Sequence, residues 1–251
     1  MGQDAGESSW VQLCGTFAVE LAGRRVDHAL PGRQGRLLFA YLVLSRLQPV
    51  PRDTLIDALW GDAPPSNAGA ALSVLISKTR AVVGADVLRG RAELSVALPE
   101  PAYVDVEVAL STLHTAESAV AVGAWQRAWA PALSALFVAR RRFLSEAEAP
   151  WADAWRRRFD DVHVRALECH ATACLELGGT ELPSAERAAR ELLEVAPYRE
   201  SGHLLLMRAL AANGNVAEAL TAYEQLRVML RDELGVNPSP AVQEVYTRLL
   251  G

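Results

Sequence analysis

Three stretches, residues 37–44 (LLFAYLVL), 50–65 (VPRDTLIDALWGDAPP) and 70–84 (AALSVLISKTRAVVG), decide the fold of the amino-terminal half. In the first, Leu37, Leu38, Tyr41, Leu42 and Leu44 recur at the spacing of one helical face, which predicts a helix over residues 33–46. Pro49-Val50-Pro51 stops it, because proline cannot continue a helical hydrogen-bond ladder. Asp53 is the expected cap of a second helix whose apolar face is Leu55, Ile56, Leu59 and Trp60, and Gly61 to Pro65 end it. Ser66 or Asn67 then caps a third helix running to about Val83. Its inward side is Ala68, Ala71, Leu72, Leu75, Ile76, Thr79 and Val82, and Gly84 is its C-terminal stop.

On the N-terminal side of these helices, Trp10 to Glu20 reads as one strand, and Leu21 to Arg25 as a turn into a second short strand at Val26. On the C-terminal side, Val87 to Arg89 and Glu93 to Leu98 read as a hairpin joined by Gly90-Arg91. Strands, three helices and a hairpin are the order of a winged helix-turn-helix, in which the second and third helices form the helix-turn-helix and the hairpin is the wing.

From Tyr103 onward no strand is expected, and Ala-rich helical pairs recur around glycine turns: Gly123 then Ala128, Gly178-Gly179 then Ala188, Gly214 then Ala219. Small residues at such positions let paired helices approach closely, as in a tetratricopeptide-like stack. Pro131 interrupts the first pair and predicts a kink there. The predicted fold class is therefore mainly α: an N-terminal α+β winged helix-turn-helix, residues 10–102, followed by an all-α tetratricopeptide-like helical repeat domain, residues 103–251.

The chain is 51% hydrophobic and 22% charged, the profile of a globular protein. No window reaches the roughly 18 apolar residues of a membrane span, and Met1 to Ser9 lacks the basic start and apolar stretch of a secretory signal, so a cytoplasmic location and no membrane partner are expected. Cys14, Cys169 and Cys174 share no paired spacing, which predicts buried, reduced thiols. Net charge is −5, but up to residue 100 ten basic residues balance ten acidic ones. Any nucleic-acid contact must then come from where the cations sit rather than from excess charge.

Placed on these elements, the third helix turns Asn67, Gly69, Ala70, Ser73, Ser77, Lys78 and Arg80 outward. Asn67, Ser73 and Ser77 reach base edges only at close approach, while Lys78 and Arg80 equally suit phosphates. Arg33, Arg36 and Arg52 at helix starts, and Arg89 and Arg91 at the hairpin tip, are the further phosphate candidates. Arg140-Arg141-Arg142 and Arg156-Arg157-Arg158 read as ion-paired surface beside Glu146, Glu148, Asp153, Asp160 and Asp161. His163 and His170 lie about 10.5 Å apart along a helix, too far to share an ion, and His170 with Cys174 supplies only two ligands. No metal or other cofactor is expected. With no Gly-rich phosphate loop, GxSxG or HExxH in the chain, an enzyme reading has no motif to rest on. The pairs Trp125/Trp129 and Trp151/Trp155 are expected in the core, with a protein-docking surface as the alternative.

The helix-turn-helix stretch, notably Trp60-Gly61 and Ile76-Ser77-Lys78-Thr79-Arg80, resembles the OmpR-like winged helix of the Streptomyces antibiotic regulatory protein family. The wing departs from it, with Ala92-Glu93 where the family usually has Gly-Tyr. Residues 196–250 resemble the bacterial transcriptional activator domain, with Pro197-Tyr198-Arg199-Glu200, Leu234-Gly235 and Pro238-Ser239-Pro240 in the family's order and spacing. The resemblance implies a DNA-binding transcriptional activator of antibiotic biosynthesis that binds promoter direct repeats on double-stranded DNA as paired protomers, a homodimer, with RNA polymerase as partner. With Gly251 immediately after the activator-domain match, no attached ATPase or sensor module is expected. Two alternatives stay open: an interaction protein with a degenerate winged helix that binds a protein or peptide through its helical repeats, and a small-molecule sensor in the helical half.

Overall fold

The computed structural model describes residues 8–145 and 147–251. The chain forms two compact units. The first takes the described residues up to Val108 together with Arg141–Phe159, and the second takes Ala109–Arg140 and Asp160–Gly251.

In the first unit the run expected as one strand is two, β1 (Ser9–Gln12) and β2 (Ala18–Leu21), antiparallel with Trp10 opposite Glu20. The break comes where Leu13 and Cys14 turn their amides to a side chain instead of a strand: Asp105 accepts from both at 2.9 Å. The next strand, β3, is Arg24–Arg25, one residue before the expected Val26. After the third helix, β7 (Ala102–Val104) pairs parallel with β1 and completes a four-stranded sheet of order β3-β2-β1-β7. Strand structure therefore extends through Tyr103, contrary to the expectation. A three-residue strand has no periodicity to read, and its partner lies some ninety residues earlier.

The three predicted helices are present as α1 (Gly32–Leu44), α2 (Arg52–Trp60) and α3 (Ala68–Val83), packed on one another around Leu38, Leu42, Leu55, Leu72 and Ile76. Asp53 does not cap α2. Pro51 holds the cap position without a side-chain bond, and Asp53 sits in the first turn, where a carboxylate complements the helix dipole. Asn67 does cap α3, its Oδ1 accepting from the Ala70 amide at 3.0 Å. The hairpin is β5 (Leu88–Gly90) and β6 (Glu93–Val96), and β4 (Val50–Pro51) adds to it in the order β4-β6-β5.

Residues 141–159 return to this unit. Cys14 bridges Phe143, the Leu144 amide donates to the Leu13 carbonyl at 2.8 Å, and the Gly15 amide donates to the Arg142 carbonyl at 2.9 Å. Phe143 stacks against Trp155 and Phe159, and Trp151 meets Tyr41 edge-on at 5.2 Å while its indole N–H donates to the Ala58 carbonyl. The second tryptophan pair is thus half-buried, packed against core aromatic rings. Arg156 pairs with Asp153 as expected but is not surface: its side chain is 12% exposed and donates to the carbonyls of Phe143, Leu144 and Ala147. A guanidinium can hold several carbonyls at once, a use that sequence spacing does not reveal. Glu146, one of the expected ion-pair partners, lies outside the described residues.

In the second unit three helix pairs follow the glycine markers: α4 (Asp105–Ala121) with α5 (Trp125–Ala139), α6 (Pro150–Leu177) with α7 (Leu182–Val195), and α8 (Glu200–Ala212) with α9 (Val216–Met229), α4 and α6 each beginning in the first unit. The final helix is α10 (Pro240–Leu250). Ala128, Ala188 and Ala219 are all buried, as their spacing predicted. Helix α5 runs on through Pro131. Arg140, expected as ion-paired surface, pairs with Glu191. Ion pairs Arg165–Glu117, Arg199–Glu168 and Arg208–Glu176, at 2.6–2.7 Å, link every second helix, α6 to α4 and α8 with its N-terminal cap to α6. No helix among the described residues is long and apolar enough to cross a membrane.

Candidate nucleic-acid interface

Helix α3 buries Leu72, Ile76, Thr79 and Val83 and exposes Gly69, Ala70, Ser73, Val74, Ser77, Lys78 and Ala81. Of the polar candidates on it, only Ser77 and Lys78 are uncommitted, making no hydrogen bond or ion pair with the described residues. Asn67 spends its oxygen on the cap. Ser73 donates to the Gly69 carbonyl at 2.8 Å and accepts from Arg52 at 2.6 Å. Val74 and Ala81 are exposed positions that the polar pattern passed over. An apolar residue outside the inward row is the signal that could have found Val74.

The arginines divide by what they hold. Arg52, at the start of α2, donates to the carbonyls of Gly69 on α3 and Arg91 in the wing. Arg80 folds back from α3 onto the wing carbonyls of Leu88 at 2.9 Å and Gly90 at 2.8 Å. Both therefore fix the hairpin against α3. Arg89 donates to the Asp86 carbonyl at 2.7 Å. Arg33 donates to the Glu148 carbonyl at 3.0 Å and pairs with its carboxylate at 3.8 Å. Arg36 is half-buried in α1. The Arg91 side chain is exposed and makes no hydrogen bond or ion pair with the described residues. The tip itself requires glycine at position 90: its φ is +89°, and a Cβ there would fall 1.9 Å from the Glu93 carbonyl oxygen.

The cysteine–histidine group of the helical unit has a different character. The Cys174 sulfur lies 3.6 Å from the His170 Nε2 and 3.7 Å from the Glu181 carboxylate, which also accepts from the Trp129 indole at 3.0 Å. Burial pushes the Cys174 thiol up to about 12 and holds His170 below the ordinary histidine range, so both are neutral at pH 7. His163 instead meets Glu191 at 3.1 Å. Among the described residues no group of three or more His, Cys, Asp or Glu is placed to hold a metal ion. All three cysteines are free and buried.

The C-terminal signature residues brace one another. The His203 Nε2–H donates to the Pro197 carbonyl at 2.9 Å, Glu200 accepts from the Ser239 amide at 2.6 Å just before α10, and Tyr198 donates to Glu233. Residues 104–250 match the family model described as bacterial transcriptional activator domain. The chain belongs to that family.

Its relatives include the regulatory protein AfsR of Streptomyces griseus, 32% identical over 86% of this chain and 22% of that protein. The transcriptional regulatory protein EmbR of Mycobacterium tuberculosis is 30% identical over 95% of this chain and 62% of that protein. The regulatory protein DnrI of Streptomyces peucetius is 29% identical over 87% and 84% respectively. The chain thus spans about a fifth of AfsR and about three fifths of EmbR. A solved structure of Mycobacterium tuberculosis EmbR in complex with a low-affinity phosphopeptide superposes with a TM-score of 0.81 over 97% of this chain and 64% of that one, at 24% identity, and shows the same fold. All three of these relatives are named as regulatory proteins.

Proposed function

We propose that the chain is a sequence-specific DNA-binding transcriptional activator, with residues 10–102 as its winged-helix DNA-binding domain and residues 103–251 as its activator domain. It acts in the cytoplasm on double-stranded DNA, binds promoter direct repeats as a homodimer, and contacts RNA polymerase. The observation that carries this reading is the exposed side of α3, with Ser77 and Lys78 uncommitted beside a wing whose tip carries Arg91. In this reading α3 enters the major groove, where Ser77 faces base edges and Asn67 and Ser73 contribute through the lone pairs their internal bonds leave free. Lys78 and Arg91 are the principal phosphate contacts, extended by Arg33, Arg36 and Arg89, while Arg52 and Arg80 hold the wing in register.

The test is fluorescence anisotropy of the full chain with duplex from upstream of its neighbouring operon, titrated from about 50 to about 200 mM salt. Affinity is expected to fall steeply, and Lys78→Ala and Arg91→Ala each to lower the salt slope by about one with melting unchanged. Arg80→Ala is expected to weaken binding while also loosening the wing. Absence of binding at low salt, or binding indifferent to salt and to both variants, overturns the proposal. The second reading, a protein-interaction regulator, is favoured by the arginines that bind protein carbonyls, Arg33, Arg52, Arg80 and Arg89, and it is what such a result would leave.

A further inference from the structure

We infer that Val74 is a specificity-determining residue that reads the methyl group of thymine, an inference that rests on α3 being the groove-facing helix. The argument starts from the geometry of α3. Successive residues turn about 100° round a helix, so Val74, two residues after the fully buried Leu72, lies about 200° from it and opposite the row Leu72, Ile76, Thr79 and Val83. Val74 is 54% exposed. Its exposed neighbours along the same strip are Ala70, Ser77, Lys78 and Ala81. Ser73 and Arg80 lie round towards the wing side, held by Arg52 and by the wing carbonyls.

The centre of the outward face therefore offers methyl groups, one hydroxyl and, to one side, the Lys78 ammonium. It carries no guanidinium and no amide that could grip a base edge with two hydrogen bonds. The fold gives no reason for valine at this point: it is a poorer helix former than alanine, and its apolar surface is left in water. The one apolar feature of the major groove is the thymine C5-methyl, which an aliphatic side chain recognises by contact. Lys78 beside Val74 and Arg91 in the wing put uncommitted cations around this apolar centre, the arrangement that a groove walled by phosphates complements.

The experiment selects duplexes from a randomised library with the full chain, then replaces each thymine of the selected sequence by deoxyuridine, one at a time. For the unmodified protein, one thymine per half-site is expected at which loss of the methyl weakens binding about fourfold. Val74→Ala, at an exposed helical position where alanine is the better helix former, is expected to fold normally and to be indifferent to that replacement. Its affinity for the unmodified duplex should match that of the parent protein for the deoxyuridine duplex. Selected duplexes without thymine, or an equal deoxyuridine penalty in both proteins, overturn the inference while salt-dependent binding leaves the DNA-binding reading standing. Failure of both proteins to bind any duplex overturns the two together.

Discussion

In the first unit Asp105 reaches back across more than ninety residues to hold the amides of Leu13 and Cys14, and Arg156 gathers the carbonyls of Phe143, Leu144 and Ala147. In the second, each of three helix pairs carries a buried alanine, Ala128, Ala188 or Ala219, and ion pairs link every second helix, α4 to α6 and α6 to α8. One unit is closed by a few buried polar groups that each serve several partners. The other is closed by one contact repeated. The difference predicts where each is vulnerable: a polar truncation should be severe in the first unit, an added side chain in the second, and acid should act on them unequally.

The largest effect is expected from Asp105→Ala. The carboxylate is 1% exposed and accepts from Leu13, Cys14 and Val106, so its removal leaves buried amides unpaired and should cost about 3 kcal/mol. Hydrogen exchange should show β1 and β7 opening while α8 and α9 keep their protection. Equal loss of protection in both units would break the contrast.

Next comes Ala219→Leu. Ala219 is fully buried in α9, and a larger side chain there must push its neighbours off their rotamers, for about 2 kcal/mol measured by urea denaturation. The α8–α9 amides should lose protection first, with the sheet of the first unit unaffected.

A smaller effect is expected from mild acid. Burial holds His170 and His203 below their ordinary value of 6.5, so the folded second unit favours the neutral rings. Their contribution is complete above pH 6.5 and is lost as pH falls through that value towards the lowered folded ones, because the unfolded chain then binds more protons. Asp105 has the opposite sign. Burial raises it above 3.8 against the pull of its backbone hydrogen bonds, so its contribution is fullest in acid and lost as pH rises through its folded value. Between pH 7.5 and about 5.5 the second unit should therefore melt earlier while the first does not weaken on account of Asp105; scanning calorimetry at the two pH values checks this. A second-unit transition indifferent to pH would remove the histidines from the account.

Helices α1, α2 and α3, the hairpin and the glycine–alanine pairs were legible because each is written locally: a 3.6-residue period, a cap at Asn67, a glycine tip at Gly90, a small residue one turn into a helix. Strand β7, the Cys14–Phe143 bridge and the return of residues 141–159 were not, since their partners are distant in the chain and short segments carry no period. The candidate interface shows the same division. Position on α3 and in the wing placed Lys78, Ser77 and Arg91 on the exposed surface, but sequence could not separate these from Arg52 and Arg80, which the fold turns inward onto carbonyls. The sequence by itself determined the family, the order of the helices and which side of each is apolar, all consequences of local periodicity and of signature residues that brace one another. Only the tertiary structure decided which cations remain free for a partner. A side chain's availability depends on what the rest of the chain brings within hydrogen-bond reach of it.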